Sequence, residues 1–326
     1  MTSLMTSSRS NQKHQRGAAV VMAMFVVVLC TLAISPLIWS LFSSAKTVQV
    51  AASRAQTREV ALSGLDWARV ILREDERVSQ VDNLNEPWAV PLAESRVSEG
   101  LLRKNETESN LVDREAVLTG VIEDAASKLN LRNLGPDTAG QEVWDRVFVR
   151  LCELLNIPQD QQARVLAAIG QMYPKSRPED DEDAATRLGG TVTRPPIPAR
   201  RWEEFQGKFG IGEETWNQLK PYVTILPEVS PVNANTASAE VLYAVIDGIQ
   251  YSDAQALLNS RERVTFREIG DIQAALNGSA SLNNALITTK SNYFLVQGTA
   301  QVDEAVVRTQ ALLQRKDNRV YVVWRR

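Results

Sequence analysis

The sequence contains very few of the residues on which metal centres and acid–base catalysis depend. Its 326 residues include one histidine, His14, and two cysteines, Cys30 and Cys152. A structural zinc site takes four cysteine or histidine ligands, so these three residues cannot form one. A histidine base would have to be His14, in a polar N-terminal tail. We therefore expect no catalytic residues, no required cofactor and no enzymatic activity. A paired-carboxylate hydrolase stays open as an alternative, although no pair of acids stands out.

An excess of positive charge is also lacking. The chain has 36 lysines and arginines against 39 aspartates and glutamates, a net charge of −3. Proteins that bind nucleic acid through bulk charge are basic, so this composition argues against that function. Hydrophobic residues make up 44% and charged residues 23%, which excludes a disordered or low-complexity chain. The length indicates about two domains.

One long apolar run departs from this ordinary composition. Residues 18–42 contain no charged side chain. A helix needs about 20 such residues to span a bilayer. Residues 1–17 before it carry Arg9, Lys13 and Arg16 and no acid. By the positive-inside rule the tail lies in the cytoplasm and the rest of the chain on the other side of the membrane.

The junction of tail and run allows two interpretations. The run is too long for a conventional secretory signal, and no small-x-small cleavage site follows it cleanly. An uncleaved signal anchor is the simpler interpretation. The second is a cut before the run, between Gly17 and Ala18, which would leave the whole apolar segment as an anchor.

The remaining pattern predicts an α+β fold. Residues 37–78 continue as a helix with an apolar stripe. Near the C-terminus, alternation and turn-forming residues predict antiparallel strands at about 292–301, 305–315 and 319–325. Their apolar face needs a cover, which the N-terminal helix can provide. Between them, residues 141–172 and 231–276 predict helices. We expect a long N-terminal helix packed on an antiparallel sheet, with a large all-α inserted domain.

Five segments follow from this arrangement. They are a basic leader (1–17), the transmembrane part of the N-terminal helix (18–42), a helix with the first strands of the sheet (43–120), the inserted α-helical domain (121–288) and the closing strands (289–326).

A proline-rich loop over residues 173–200 contains an acidic run. The simplest interpretation is a solvated loop. Clustered carboxylates in a loop are also suitable calcium ligands, although the spacing is not that of an EF-hand. The candidate ligands are Glu179, Asp180, Asp181 and Asp183.

Residues 231–276 resemble a helix-hairpin-helix unit. Such units often bind the DNA backbone through amides of a glycine hairpin. Here the hairpin Asp247-Gly248-Ile249-Gln250 lacks a second glycine, and the segment is too poor in basic residues to neutralise many phosphates. We favour a structural helical module and no nucleic-acid partner. A membrane-anchored DNA-binding protein of the competence type is the alternative.

Taken together, the chain resembles the protein K family of minor pseudopilins of the Gram-negative type II secretion system. The resemblance covers nearly the whole chain, and its two central blocks are specific when they occur together. The matching segments are the Arg16-Gly17-Ala18 junction, Asn130–Leu134, Leu219–Pro227, Val232–Ala237 and Val322–Arg326.

The resemblance implies processing at the predicted junction. In this family a prepilin peptidase cuts after the glycine and methylates the new N-terminus, so mature residue one would be Ala18. Most relatives of such leaders have glutamate at mature position five, where this chain has Met22. A carboxylate in the bilayer persists only with a partner, here the amine of a neighbouring subunit. A subunit with no neighbour above it loses nothing by having Met22, which would then mark its position in the fibre.

The resemblance also implies a place in the cell and a set of partners. The chain would be a single-pass inner-membrane protein with a periplasmic C-terminal domain. It would initiate assembly at the tip of the pseudopilus with minor pseudopilins I and J, the major pseudopilin G and the inner-membrane assembly platform. The family binds calcium in its inserted domain, but the matching stretch here, Ile169–Tyr173, has no aspartate. Only the acidic run is left as a calcium candidate.

Overall fold

The computed structural model describes residues 14–98, 115–173, 210–278, 280 and 282–326. A single long helix, α1 (His14–Val78), precedes a five-stranded antiparallel sheet. The sheet has the order β1-β2-β7-β8-β9, with strands Leu92–Ser98, Glu115–Asp124, Tyr293–Val302, Ala305–Lys316 and Arg319–Arg325. The sheet is therefore built from both ends of the chain, and everything described between Asp124 and Tyr293 is an insertion. The α+β fold predicted from the sequence is confirmed.

Helix α1 covers one face of the sheet with its C-terminal half. The residues before Ala52 expose their side chains wherever these are described. From Ser53 onward a stripe of small and aliphatic residues is buried at a spacing of three or four, as an amphipathic helix requires. Its members are Ser53, Thr57, Val60, Ala61, Leu65, Ala68 and Leu72. Opposite them the sheet contributes alternate residues of each strand, among them Phe294, Val296, Ala300, Val302, Ala311 and Leu313.

The three closing strands lie within one residue of the predicted ranges. The predicted alternation of side chains is seen in β7, where even-numbered residues face α1 and odd-numbered residues face away from it. The turn between β8 and β9 consists of Asp317 and Asn318, with φ of 53° and 59°. Positive φ at both positions is what a type I′ turn requires, and Asp and Asn tolerate it better than most residues.

The inserted part is helical, with two short parallel ladders. Its helices are α2 (Gln141–Leu154), α3 (Gln159–Met172), α4 (Glu213–Leu219), α5 (Ala239–Val245), α6 (Tyr251–Arg263) and α7 (Ile269–Ala275). Strand β3 (Leu129–Asn130) pairs with β4 (Val223–Thr224), and β5 (Val232–Asn233) pairs with β6 (Ile287–Thr288). Residue 121, the predicted start of the inserted domain, lies inside β2, which continues to Asp124.

The inserted domain has its own hydrophobic core. One face of each helix contributes to it, for example Phe148 and Leu151 of α2 and Ile169 of α3, all completely buried. Cys152 belongs to this core, and burial raises the pKa of its thiol to about 12. Cys152 is therefore a small buried hydrophobe of this core. Cys30 is exposed on α1, and neither cysteine forms a disulfide.

The second face of the sheet is only partly covered. Near the start of β7, Tyr293 and Leu312 pack against Ala125 and Leu226 of the inserted domain. Farther along the strands this face is open, with Val121 and Val306 exposed. The inserted domain thus contacts one end of the sheet, and no other described residues cover the rest of this face.

Candidate functional site

The N-terminal half of α1 is a bare apolar helix. Val20, Phe25 and Leu41 expose 59%, 59% and 71% of their surface. The span 18–42 is about 37 Å long as a helix, enough to cross the hydrocarbon core of a bilayer. It is the one helix among the described residues that is long and apolar enough to do so. Apolar surface on this scale is stable only against lipid or other helices, so the segment is consistent with a membrane anchor.

The predicted processing residues lie at the start of this helix. Gly17 and Ala18 fall within α1, which begins at His14. Met22 follows one turn later and is 68% exposed. The cut after Gly17 and the role of Met22 both stay predictions.

At its other end, α1 reaches a buried polar cluster that joins the sheet to the inserted domain. We call this cluster the polar joint. It consists of Asp75, Asp82, Asp124, Asn233, Thr236, Ser291 and Arg315. Asp75 lies in the last turn of α1, Asp82 lies just after that helix, and Asp124 ends β2. Asn233 ends β5, and Thr236 lies in the turn after it. Ser291 lies two residues before β7, and Arg315 lies near the end of β8.

Asp124 is the centre of one half of the polar joint. Its Oδ2 accepts hydrogen bonds from Thr236 Oγ1 at 2.5 Å, Ser291 Oγ at 2.6 Å and Asn233 Nδ2 at 2.9 Å. Its Oδ1 accepts from the backbone N–H of Ala126 at 2.8 Å. Burial nevertheless raises the pKa of Asp124 to about 6, because desolvation outweighs these hydrogen bonds. The arrangement ties β2 directly to the inserted domain.

Arg315 is the centre of the other half. Its guanidinium donates to Asp75 Oδ2 at 2.9 Å, to Asp82 Oδ1 and to the backbone oxygen of Ser291 at 3.0 Å. The group lies over the ring of Phe294, with 4.8 Å between Cζ and the ring centroid. The side chain is 1% exposed. A buried charge of this kind is tolerated only when it is paired, and here two carboxylates pair it.

Asp75, Asp82 and Glu86 place three carboxylates within 4.8 Å of one another. Burial, together with the negative charge of Glu86, raises the pKa of Asp75 to about 6. Arg315 binds two of the three carboxylates, and Glu86 Oε2 accepts from Trp88 Nε1 at 2.8 Å. An arginine occupies the place a calcium ion would need, so the group fits a structural ion pair and not a calcium cage. The predicted ligands Glu179, Asp180, Asp181 and Asp183 lie outside the described residues, and calcium binding there stays a prediction.

Three buried asparagines hold the connecting segments through their backbones. Asn130 accepts from the backbone N–H of Leu226 at 3.1 Å and donates to the backbone oxygen of Glu228 at 2.8 Å. Asn133 makes the same pair of bonds to the backbone of Ser230, at 2.7 and 3.1 Å. Asn235 does so with Phe266, at 2.9 and 3.0 Å. Because a side-chain amide offers both N–H donors and a carbonyl acceptor, each asparagine takes the place of a missing strand neighbour.

The hairpin between α5 and α6 carries a carboxylate. Asp247 is 94% exposed at its side chain and pairs with Arg150 at 3.0 Å, while Gly248 adopts a φ of 80°. A phosphate approaching the hairpin amides would meet this negative charge. The hairpin geometry therefore favours the structural module over DNA binding.

The sequence did not predict the polar joint. Asn130, Asn233 and Asn235 belong to blocks that carried the family resemblance, but their roles were not inferred. The available signal was the density of asparagines in otherwise apolar blocks, since an asparagine between buried residues needs partners. Nothing local indicated that Arg315 would be buried.

A long N-terminal helix with an apolar first half, an antiparallel sheet packed against its second half and a helical insertion define the architecture, which is consistent with a membrane-anchored protein. Two family models described as "Type II secretion system (T2SS), protein K" match residues 127–228 and 232–290. The type II secretion system protein K of Pseudomonas aeruginosa is 25% identical over 336 aligned positions, covering 96% of this chain and 93% of that protein. That of Aeromonas hydrophila is 26% identical, covering 73% and 83%.

The same likeness is found among solved structures. The crystal structure of the GspK–GspI–GspJ complex from the type 2 secretion system of enterotoxigenic Escherichia coli contains a chain that matches with a TM-score of 0.58. The match is 16% identical and covers 87% of this chain and 98% of that chain, so it supports the fold. These family models and relatives support the assignment of the chain to the type II secretion system protein K family. The chain has a minor pseudopilin role in type II secretion, and its family is not a known enzyme family.

Proposed function

We propose that this protein is the tip subunit of the type II secretion pseudopilus and starts its assembly. Residues 18–42 hold it in the inner membrane, the N-terminus lies in the cytoplasm and the folded part lies in the periplasm. The observation that carries the proposal is the position of the inserted domain at the membrane-distal end of α1.

That position follows from the length and direction of α1. From residue 42 to Val78 the helix extends about 54 Å beyond the apolar span. The polar joint lies at this far end, where Asp75 of the last turns of α1 binds Arg315. The inserted domain is attached there through Asn233 and Thr236. The inserted domain is therefore joined to the membrane-distal end of the helix-on-sheet unit, and we infer that it fills the space above the helix end.

In a fibre of parallel helices, the next subunit along the axis would need that same space. A subunit whose helix end is covered can be the last in the fibre but cannot lie inside it. Met22 agrees with this, because a terminal subunit has no neighbour above it whose amine a carboxylate would bind. The bare half of α1 gives the surface for packing against the helices of subunits below.

The proposed partners are minor pseudopilins I and J, the major pseudopilin G and the inner-membrane assembly platform. Support for I and J comes from the solved relative, which was crystallised as a GspK–GspI–GspJ complex. A prepilin peptidase is proposed as the processing enzyme, acting between Gly17 and Ala18.

Co-purification from membranes tests the proposal. The full chain, tagged at its C-terminus, is expected to isolate both minor pseudopilins I and J from the same bacterium in detergent. The tagged chain truncated after residue 42 serves as a control for capture by the anchor alone. Recovery of neither partner with the full chain would contradict the tip assignment.

A further inference from the structure

A groove crosses the uncovered face of the sheet and continues beneath the inserted domain. Two adjoining cavities form it, of about 700 and 240 Å3, and both are lined by Gln297, Gln310 and Arg326. The larger lies over the middle strands of the sheet. The smaller lies between Leu312 and Trp324 on the sheet and Ile225 of the inserted domain.

Cationic side chains dominate this groove, although the chain as a whole is acidic. They are Lys128 and Lys220 at the inserted-domain end and Arg308 and Arg326 on the sheet. Among the described residues that line either cavity, Glu123 is the one with an acidic side chain, and it pairs with Lys128 at 2.9 Å. Lys220 and Arg308 are exposed. We call this surface the basic groove.

The remaining lining residues suit a polypeptide backbone. Thr119, Gln297, Thr299 and Gln310 project hydroxyl and amide groups from the sheet. Such groups both donate and accept, so they can pair with the N–H and C=O groups of an extended chain. Trp324 lines the smaller cavity, and its flat ring is a surface on which a side chain of the bound polypeptide can stack.

The distance from the membrane argues against lipid headgroups. Thr119 and Gln297 also line a pocket with Gly64 and Ala68 of α1. Gly64 lies 22 residues past residue 42, or about 33 Å of helix beyond the apolar span. Headgroups extend only a few ångströms past the hydrocarbon core, so the groove is out of their reach.

We propose that the basic groove binds an extended acidic segment of another protein. Recognition would combine the exposed cations Lys220 and Arg308 with hydrogen bonds from the sheet face. The site is separate from the bare half of α1, so the subunit could bind such a segment while its helix is packed in a fibre.

The test measures binding of a fluorescein-labelled ten-residue peptide of alternating glutamate and threonine, by anisotropy. The full chain is used in neutral detergent at 50 mM salt. The groove variant is Lys220→Glu with Arg308→Glu. A matched control makes the same charge change at exposed positions of the inserted helices, Arg146→Glu with Arg164→Glu. Thermal unfolding of each variant checks that it remains folded.

The affinity is expected to fall at least about tenfold in the groove variant and less than about threefold in the control. Raising the salt to 300 mM should weaken binding to the wild-type chain. Equal losses in both variants would overturn the proposal, as would equal binding of a lysine–threonine peptide. Displacement of the peptide by phosphatidylglycerol micelles at the same charge concentration would overturn it in favour of a lipid.

Discussion

Asp124 shows how burial and hydrogen bonding compete at a single residue. It is 2% exposed and accepts four hydrogen bonds, which favour the charged carboxylate, yet desolvation leaves its pKa at about 6. The nearby charge of Asp82 acts in the same direction as desolvation. The group is therefore close to titration at mildly acidic pH, inside the contact that attaches the inserted domain.

This pKa predicts a pH dependence of stability with a definite sign. The pKa of Asp124 is about 6 in the folded chain, and the ordinary pKa of an aspartate in an unfolded chain is 3.8. The folded state therefore binds the proton more tightly. The stabilising contribution of protonation is complete below about pH 4 and is lost as the pH rises through 6. From pH 7 to pH 5 the wild-type chain should gain about 1 kcal/mol more in the free energy of unfolding than Asp124→Asn.

Urea unfolding of the full chain in detergent, followed by tryptophan fluorescence, measures this difference. Both chains contain Asp75, whose pKa is also raised to about 6, so its contribution cancels in the comparison. Identical pH profiles for the two chains would show that Asp124 does not titrate in this range.

The leader junction provides a second prediction about single residues. The mature protein should begin at Ala18, because cleavage after Gly17 preserves the apolar run. Mass spectrometry of the protein extracted from membranes gives the N-terminus directly. Gly17→Ala should leave the full-length chain unprocessed. The control is Gly170→Ala on α3, where an added Cβ meets no atom within 4 Å. A mature chain that starts at Met1 would refute the pseudopilin leader.

At the scale of elements, α1 has two halves with different surroundings. Before Ala52 the side chains that the structure describes are exposed, whereas the stripe from Ser53 to Leu72 is buried on the sheet. At Gly64 the approach is close enough that a Cβ would lie 3.0 Å from the side chain of Leu118. One helix therefore serves as an anchor along its first half and as a structural layer along its second.

Two leucines of α1 distinguish these roles. Leu72 is 0% exposed and packs with the sheet residues, so Leu72→Ala should lower the free energy of unfolding by about 3 kcal/mol. Leu41 is 71% exposed, and Leu41→Ala should change it by less than about 0.5 kcal/mol. Urea unfolding in detergent measures both. Similar effects of the two substitutions would contradict the division of the helix.

The closing strands and the polar joint show what the sequence could and could not predict. Strands β7, β8 and β9 were predicted to within a residue because alternation and the turn Asp317-Asn318 are local signals. The polar joint has no local signal. Arg315 binds Asp82 across 233 residues, and Ser291 binds Asp124 across 167. Such pairs depend on how the ends of α1, β2 and β8 and the start of β7 come together in the fold, which no window of sequence contains.

At the scale of the whole molecule, the insertion changes what the helix-on-sheet unit can do. A subunit made of a helix on a sheet, with neither end of the helix covered, could stack repeatedly along a fibre. Here we infer that the inserted domain covers the membrane-distal end, where the polar joint holds it through buried hydrogen bonds and a paired arginine. The same architecture leaves the basic groove open at the side, where it does not interfere with stacking from below.

The most direct test of the tip assignment is the position of this chain in assembled fibres. Pseudopili can be overproduced with the major pseudopilin and labelled with gold-coupled antibodies against the inserted domain, with the Gly17→Ala strain as a control for unincorporated protein. The account predicts label at one end of each fibre and no label on fibres from the control strain. Label repeated along the length of the fibres would contradict it.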